Sequence, residues 1–343
     1  MARENPTSMD VARHAGVSQS AVSRVFTPGA SVSIKMADKV KRSADALGYR
    51  PNVLARSLIT GQSRIIGLVV AYLDNQFYPE ALERLSMSLQ EQGYHVLVFM
   101  ASKTAGNIDQ VLEEILDYQV DGVIMASVAM SSNLAKRCDE AGIPVVLFNR
   151  RQSDVSFSSV TSNNVSGGYK LARFLVAGGH QRIGYIAGWD GASTQYDREA
   201  GFIKGLQEDG QTLFARECGN FVLEEARIAA RNMFSKSVIP DAVFVANDHM
   251  AFAVMDVLRF ELGLSVPDDV SVVGYDDVQL ASWTSYDLTT VRQPVNRMIS
   301  ETIAILMARI EQGNSKLRNV ELDGALIVRS SAKIQEGWEH EGV

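Results

Sequence analysis

The chain has 343 residues, 46% of them apolar and 21% charged, which is the composition of a globular protein with two or three domains. Met1–Asp10 lacks the apolar stretch of an export signal, and the longest apolar runs, such as 65–73, are too short to span a membrane. Cys138 and Cys218 have neither zinc-site spacing nor the pattern of a disulfide framework. We therefore expect a cytoplasmic protein with no membrane association, no metal site and no cofactor.

Charge is distributed unevenly along the chain. The net charge of −7 argues against a general polyanion binder, but residues 1–64 contain ten Lys and Arg against four Asp and Glu. The remainder has 23 basic residues against 36 acidic ones. This asymmetry suggests a basic module joined to an acidic body, although small helical domains are often basic by chance.

Two short helices joined by a tight turn are predicted at the start of the chain. Thr7 and Asp10 have the spacing of a capping box for the first helix. Gly16 permits the turn, and Ser18 can cap the second helix. Small apolar residues at helical spacing would pack the two helices together, namely Val11, Ala12, Ala15, Ala21, Val22 and Val25.

The outward face of the second helix carries the hydrogen-bonding side chains Gln19, Ser20, Ser23 and Arg24. In a helix-turn-helix the start of the second helix enters the major groove of DNA, where such side chains can read base edges. The alternative is a helical hairpin whose polar face is merely solvated. This motif on its own does not decide between the two.

A third helix is predicted over 33–47, where Gly48 ends it, and a helix of only two turns follows over 52–61. Asn52 would cap this short helix and Gly61 would end it. Helices this short are marginal in water, so the segment should form only when something holds it, as a switch requires. It is either a linker that packs on a neighbouring domain or a wedge whose Leu58 enters the minor groove and kinks a base step.

From Ile65 onward, short apolar runs alternate with amphipathic stretches. The runs typical of buried strands are 65–71, 96–100, 123–126, 145–148, 183–187, 243–246 and 270–274, and the predicted helices are 80–92, 108–117, 168–177, 198–207, 223–233 and 250–262. This rhythm indicates parallel sheets covered by helices on both faces. Residues 120–126 also resemble residues 240–246, which indicates two similar α/β lobes. Because ligands bind beyond the carboxyl ends of parallel strands, we expect a small-molecule site in the cleft between the lobes.

Several motifs occur in order along both parts of the chain. The N-terminal ones are Asp10-Val-Ala-x-x-Ala-Gly-Val-Ser18, Val22-Ser-Arg-Val25, Tyr49-x-Pro-Asn52 and Ala55-Arg-Ser-Leu58. Those of the body are Pro144, Gly178–Ile183, Arg198-x-x-Gly201-Phe202, Ala246-Asn-Asp248 and Ser271–Asp277. Together they resemble the motifs of the LacI/GalR family of bacterial regulators, over essentially the whole chain.

The resemblance implies a helix-turn-helix DNA-binding domain over 1–51, a hinge helix or linker over 52–61, and an effector-binding and dimerisation domain of two interleaved α/β lobes over 62–343. It implies a homodimer on a near-palindromic operator, with Leu58 inserted at the operator centre. The C-terminal end lacks leucine heptads, which favours a dimer over a tetramer. By position, Gln19, Ser20 and Arg24 would read bases, Ser18, Ser23 and Asn52 would contact phosphates, and Ala55 would face the minor groove.

For the effector, the resemblance implies polar contacts from Arg198, Asn247 and Asp276, aromatic walls at Phe77 and Phe221, and further contacts from Asn149 or Arg150. Guanidinium, amide and carboxylate groups suit sugar hydroxyls or a small polar ring, and a sugar-like effector is expected. Each aromatic taken singly is more often core than pocket, and Asp276 can instead cap the loop after its strand. Ser162 stands where many relatives have Asp, so the ligand does not transfer by analogy.

The predicted function is that of a DNA-binding regulator, most simply a repressor, whose effector closes or twists the lobes and so decides whether residues 52–60 are helical on DNA. The effector can be an inducer or a corepressor. A periplasmic-type binding protein would share the two-lobed body but should carry an export signal and no basic front. An enzyme is disfavoured because the sequence has no Gly-x-Gly-x-x-Gly or P-loop and its histidines are scattered, and we assign no catalytic residues.

Overall fold

The computed structural model divides into two compact units, Met1–Arg64 and Ile65–Val343. It describes residues 6–27, 30–50, 62–71, 73–101, 108–126, 137–152, 157–313 and 316–334. The short helix predicted over 52–61, with Asn52, Ala55 and Leu58, lies outside these described residues. No helix among the described residues combines the length and apolar character needed to cross a membrane.

The described part of the N-terminal unit contains three helices, α1 (Ser8–Ala15), α2 (Gln19–Val25) and α3 (Ile34–Leu47). The predicted capping box is present, because the Asp10 backbone N–H donates to Thr7 Oγ1 and the Thr7 N–H donates to the Asp10 carboxylate. Gly16 ends α1 in the left-handed region with φ 54°, a conformation that glycine adopts without strain. Ser18 Oγ accepts the Ala21 N–H and so caps α2 as predicted.

Among the described residues of this unit, the fully buried core side chains are small or medium-sized aliphatic ones. The buried members are Val11, Ala12, Ala15, Val22, Val40 and Ala44. Alanine at three of these positions lets the helices approach closely. Ala21 and Val25, which were also predicted to be buried, are only half-buried, so Val22 is the residue through which α2 is anchored.

The first lobe of the body is a parallel sheet of six strands. They are β1 (Ile65–Val70), β2 (His95–Met100), β3 (Gly122–Ala126), β4 (Val145–Phe148), β5 (Ser158–Ser162) and β11 (Asn319–Leu322), in the order β11-β5-β4-β3-β1-β2. Its described helices include α4 (Phe77–Glu91), α5 (Ile108–Asp117) and α10 (Val295–Gln312). The predicted β–α rhythm is therefore confirmed for this lobe.

The second lobe has a sheet of the same strand pattern. Its strands are β6 (Ile183–Ala187), β7 (Ala215–Cys218), β8 (Ala242–Val245), β9 (Ser271–Asp276), β10 (Thr289–Arg292) and β12 (Ala325–Ile327), in the order β12-β10-β9-β8-β6-β7. The lobe also contains α6 (Asn164–Ala177), α7 (Ser193–Glu208), α8 (Leu223–Phe234) and α9 (Asp248–Asp256), and α9 continues into a π-helical turn, Val257–Glu261. The sheet is parallel apart from β12, which runs antiparallel to β10. The predicted parallel sheet is therefore confirmed for this lobe, with one antiparallel strand at its edge.

The chain passes between the lobes three times. It leaves the first sheet after β5, returns between β10 and α10, and crosses again between β11 and β12. Helix α10 follows β10 of the second lobe but packs on β4, β5 and β11 of the first. The two lobes are therefore interleaved in sequence, and three short connections join them.

Candidate effector cavity and DNA-reading helix

A cavity of about 240 Å³ lies between the two lobes. It is lined from the first lobe by Asp74, Asn75, Tyr78, Asn149 and Arg150, and from the second by Thr194, Arg198, Phe221, Val222, Leu223, Glu224, Asn247, His249 and Asp276. These residues lie at or beyond the carboxyl ends of β1, β4, β6, β7, β8 and β9, which is where open parallel sheets bind ligands. Six of the seven predicted effector contacts, all except Phe77, are among them.

Phe77 does not line this cavity. Its ring is 4% exposed and stacks on Phe148, with 6.3 Å between the ring centroids. The next residue along the helix, Tyr78, faces the cavity and contacts the Phe77 ring edge-on at 5.2 Å. Since successive residues of a helix point about 100° apart, the prediction selected the wrong aromatic of this pair. Phe77 instead lines a separate cavity that includes Glu80 and Arg292.

Arg198 is held by three hydrogen bonds within the protein. Its Nε donates to Asn164 Oδ1 at 2.9 Å, Nη1 donates to the Ala246 carbonyl at 2.5 Å, and Nη2 donates to Asp276 Oδ1 at 3.3 Å. The guanidinium also lies 3.7 Å from the centroid of the Tyr275 ring. An arginine has five N–H donors, so this buried side chain keeps about two of them for a ligand in the cavity.

Asp276 is the acceptor at the centre of this network. Besides Arg198, its Oδ1 accepts the Gln293 Nε2 at 2.7 Å, and the Asn75 side chain of the first lobe donates to the same carboxylate. Burial raises the pKa of Asp276, and the Arg198 guanidinium opposes that shift. Burial likewise raises the pKa of Asp248, and the nearby Asp276 raises it further. Asp248 accepts Thr290 Oγ1–H and the Val278 N–H, and so holds the loop that follows Asp276.

Backbone strain is concentrated around the cavity. Asn149, Phe221 and Asp276 have φ values of 62°, 58° and 128°, a region that residues with a side chain adopt only where the surroundings impose it. Two cavity-lining residues also carry buried polar atoms without a hydrogen-bond partner, Asn149 Oδ1 and Arg150 Nε. Both the strain and the unpartnered atoms are typical of a ligand site.

Ser162, the position of the departure from the family pattern, lies behind the cavity. Its Oγ is 3.1 Å from the hydroxyl of Tyr275, and it is not one of the lining residues. The missing carboxylate therefore changes the support of the Tyr275 ring and not the cavity wall itself.

Several lining residues were missed by the sequence analysis. They are Asp74, Asn75, Tyr78, Thr194, Val222, Leu223, Glu224 and His249. Phe221 to Glu224 follow β7, a strand of mixed polarity that the apolar pattern did not detect. Asp74, Asn75 and His249 could have been predicted as site residues, because each follows a predicted strand within a few residues.

In the N-terminal unit, α2 presents the predicted DNA contacts on its exposed side. Gln19, Ser20, Ser23 and Arg24 are all exposed. Gln19 Nε2 donates to Ser8 Oγ of α1 at 3.0 Å, and Ser20 Oγ lies 2.9 Å from Ser18 Oγ. Ser18 Oγ is already used by the helix cap, so a phosphate would share it with the Ala21 N–H.

Comparison with known proteins matches both units. The model of bacterial regulatory proteins of the lacI family matches residues 7–52, and the periplasmic binding protein-like domain matches residues 172–332. The chain is 31% identical over 330 residues to the HTH-type transcriptional repressor PurR of Vibrio vulnificus (strain CMCP6), covering 95% of this chain and 98% of that one.

Solved structures give the same result over the whole length. The Lac repressor dimer bound to operator and the anti-inducer ONPF superposes with a TM-score of 0.86 at 27% identity, covering 96% of this chain and 99% of that one. The complex of the transcriptional regulator CelR with cellobiose gives a TM-score of 0.72 at 30% identity, covering 95% of this chain and all of that one. The chain therefore belongs to the lacI family of bacterial regulatory proteins, and it is a DNA-binding transcriptional regulator under small-molecule control.

Proposed function

We propose that this regulator is a cytoplasmic repressor whose effector is an uncharged, hydroxyl-rich molecule of about monosaccharide size, bound in the cavity between the lobes without chemical change. The observation that carries the proposal is the convergence of guanidinium, amide and carboxylate groups from both lobes on one cavity of about 240 Å³. Those groups donate to and accept from hydroxyls, which do both.

The charges of the lining favour a neutral ligand. Three carboxylates, Asp74, Glu224 and Asp276, face two guanidiniums, Arg150 and Arg198. A sugar acid or sugar phosphate would add negative charge to a lining that is already balanced or slightly acidic. A hydroxylated ring satisfies donors and acceptors without changing that balance.

One wall of the cavity is apolar. Phe221, Val222 and Leu223 are consecutive residues of the lining and belong to the second lobe. The C–H face of a sugar ring packs well on such a surface while its hydroxyls bond to the remaining walls. The CelR structure, which is similar to this chain, contains the sugar cellobiose, and this supports the same ligand class here.

The response to the effector is proposed to be a shift between arrangements of the lobes. A ligand that bonds Asn149 and Arg150 on one side and Arg198 and Asp276 on the other favours the arrangement in which both sets are in reach. That shift would alter the operator affinity of the homodimer, with Gln19, Ser20 and Arg24 reading bases and Ser18 and Ser23 contacting phosphates. The contacts assigned to Asn52, Ala55 and Leu58 remain predictions.

The test is a thermal-shift screen of the full-length protein against neutral sugars including cellobiose, sugar acids, sugar phosphates and nucleobases. A neutral sugar should stabilise the protein, by about 2.7 kcal/mol when it is present at 100 times its Kd. Operator affinity is then measured by fluorescence anisotropy with and without that compound, and its change gives the sign of regulation.

Asn149→Ala should abolish the stabilisation, because it removes an amide of the cavity wall. The control is Gln207→Ala, an exposed substitution on α7. Stabilisation by the acids or phosphates alone would overturn the assigned ligand class. Stabilisation that survives Asn149→Ala would overturn the assigned site.

A further inference from the structure

Two residues outside the cavity join the lobes directly. Arg151 belongs to the first lobe and follows β4, and Asp197 belongs to α7 of the second. Arg151 Nε donates to Asp197 Oδ2 at 3.1 Å, and Nη2 donates to Oδ1 at 2.7 Å. This two-pronged geometry is the strongest that an arginine and a carboxylate form, because both acceptor oxygens are used at once.

The environment of the pair makes it more than a surface ion pair. The side chain of Asp197 is 9% exposed, whereas that of Arg151 is 49% exposed. Removing Arg151 alone would therefore leave a largely buried carboxylate without its cation, which is costly. The hydrogen bond to Asp197 is also the main reason that the pKa of Arg151 is raised.

Two further contacts across the lobes lie beside the pair. The Arg151 backbone N–H donates to Ser193 Oγ at 3.1 Å. The Arg150 guanidinium lies 5.7 Å from the centroid of the Trp189 ring, within the range of a cation–π contact. Residues 150–151 of one lobe are thus attached to residues 189–197 of the other at three points.

The position of the pair relates it to the cavity. Neither Arg151 nor Asp197 lines the cavity, but their neighbours Arg150 and Arg198 do. The ion pair therefore joins two segments that both contribute to the cavity lining. It does so through residues that a ligand in that cavity does not contact.

We propose that Arg151 and Asp197 are positioning residues that form an interlobe clasp, which holds the two cavity-lining segments in the arrangement described above before any effector binds. A clasp that is already made reduces the ordering that a ligand must bring about on binding. The inference goes beyond the proposed function and requires no particular effector.

The test is amide hydrogen exchange of the full-length, ligand-free protein, with the segment that contains the Arg151 amide as reporter. Asp197→Asn and Arg151→Gln should each speed exchange of residues 149–152, corrected for intrinsic rates, by about fivefold, the factor expected for an ion pair of good geometry. The double variant should show no larger increase than either single variant, because both remove the same interaction.

Arg173→Gln is the matched control, since Arg173 and Asp209 form a partly exposed ion pair within one lobe. It should leave exchange of residues 149–152 unchanged. Unaltered exchange in Asp197→Asn would overturn the clasp. So would additive effects in the double variant, or an equal increase in strands β4 and β6, which would indicate general loss of stability. None of these outcomes depends on whether the cavity binds a sugar.

Discussion

The DNA-reading unit and the effector-binding body hold their functional residues in opposite ways. The proposed DNA contacts among the described residues lie within seven consecutive positions and are exposed on α2 or at its cap, namely Ser18, Gln19, Ser20, Ser23 and Arg24. The cavity residues span Asp74 to Asp276, come from the ends of six strands and include deeply buried polar groups.

The difference concerns how function is coupled to stability. In the N-terminal unit, the buried side chains that hold the helices together are separate from the exposed side chains proposed to meet DNA. Ser18 and Gln19 also make surface hydrogen bonds within the unit, but most DNA contacts can change at little cost to the fold. In the body, Arg198 and Asp276 belong at once to the cavity wall and to the buried network that supports it. A substitution that changes ligand contacts at these positions therefore also changes the stability of the body.

The largest expected effect is that of Arg198→Ala. It leaves Asp276 buried without its cation and should lower the free energy of unfolding of the body by about 3–5 kcal/mol. It should also abolish the thermal shift produced by any compound that stabilises the wild type. Calorimetry of the full-length protein measures both, and Arg173→Ala, at a partly exposed pair in the same lobe, should cost less than about 1 kcal/mol. Equal losses of unfolding free energy in the two variants would show that the buried network stabilises the body no more than a partly exposed ion pair does.

Val22→Ala tests the other side of the comparison. It removes two methyl groups from the small core of the N-terminal unit and should cost that unit about 2 kcal/mol. Operator binding should weaken while the unfolding transition of the body stays in place. Gln19→Ala, on the exposed face, should leave stability within about 0.5 kcal/mol but alter operator preference. A loss of stability in Gln19→Ala similar to that in Val22→Ala would contradict the separation of core and reading face.

The last prediction concerns the pH dependence of the stability of the body. The pKa of Asp248 is raised above its ordinary value of 3.8, first by burial and then by Asp276. The folded state therefore holds a proton that the unfolded state releases, so the free energy of unfolding should fall as pH rises above 3.8. Asp248→Asn removes this contribution, which is at most about 1.4 kcal/mol per pH unit.

Urea unfolding between about pH 5 and pH 7 compares the two slopes. Burial lowers the pKa of His180, which gives the opposite dependence, but His180 is present in both proteins and cancels in the difference. Parallel slopes for wild type and Asp248→Asn would contradict the prediction. In the N-terminal unit the described ionisable residues are exposed or half-buried, and its own transition should change little.

The elements that sequence predicted well are those whose signals are local. Thr7, Asp10, Gly16 and Ser18 determine helix ends through contacts within a few residues, and the apolar runs of β1, β3 and β4 identify buried strands. Helix starts were placed too late in the second lobe, where α6 begins at Asn164 and not at 168, because polar first turns carry no apolar period.

The missed strands show where local signals fail. Ser158–Ser162 is buried throughout although its residues are mostly hydroxylated. Its hydroxyls are satisfied by distant partners, Ser159 by Asn319 and Ser162 by Tyr275. The same holds for the site, since Arg198 acquires its role from Asn164, Ala246 and Asp276. Because these partners lie far apart in the sequence, they produce no periodic pattern that sequence analysis could detect.

The three passages of the chain between the lobes also have a consequence for synthesis on the ribosome. The first lobe begins with β1 but is not complete until α10 and β11 emerge, whereas the second lobe needs only β12 after residue 292. The lobe that starts last is thus the first to be nearly whole. Until β11 has emerged, β5 has one unpaired edge, at which the nascent chain can pair with the wrong partner.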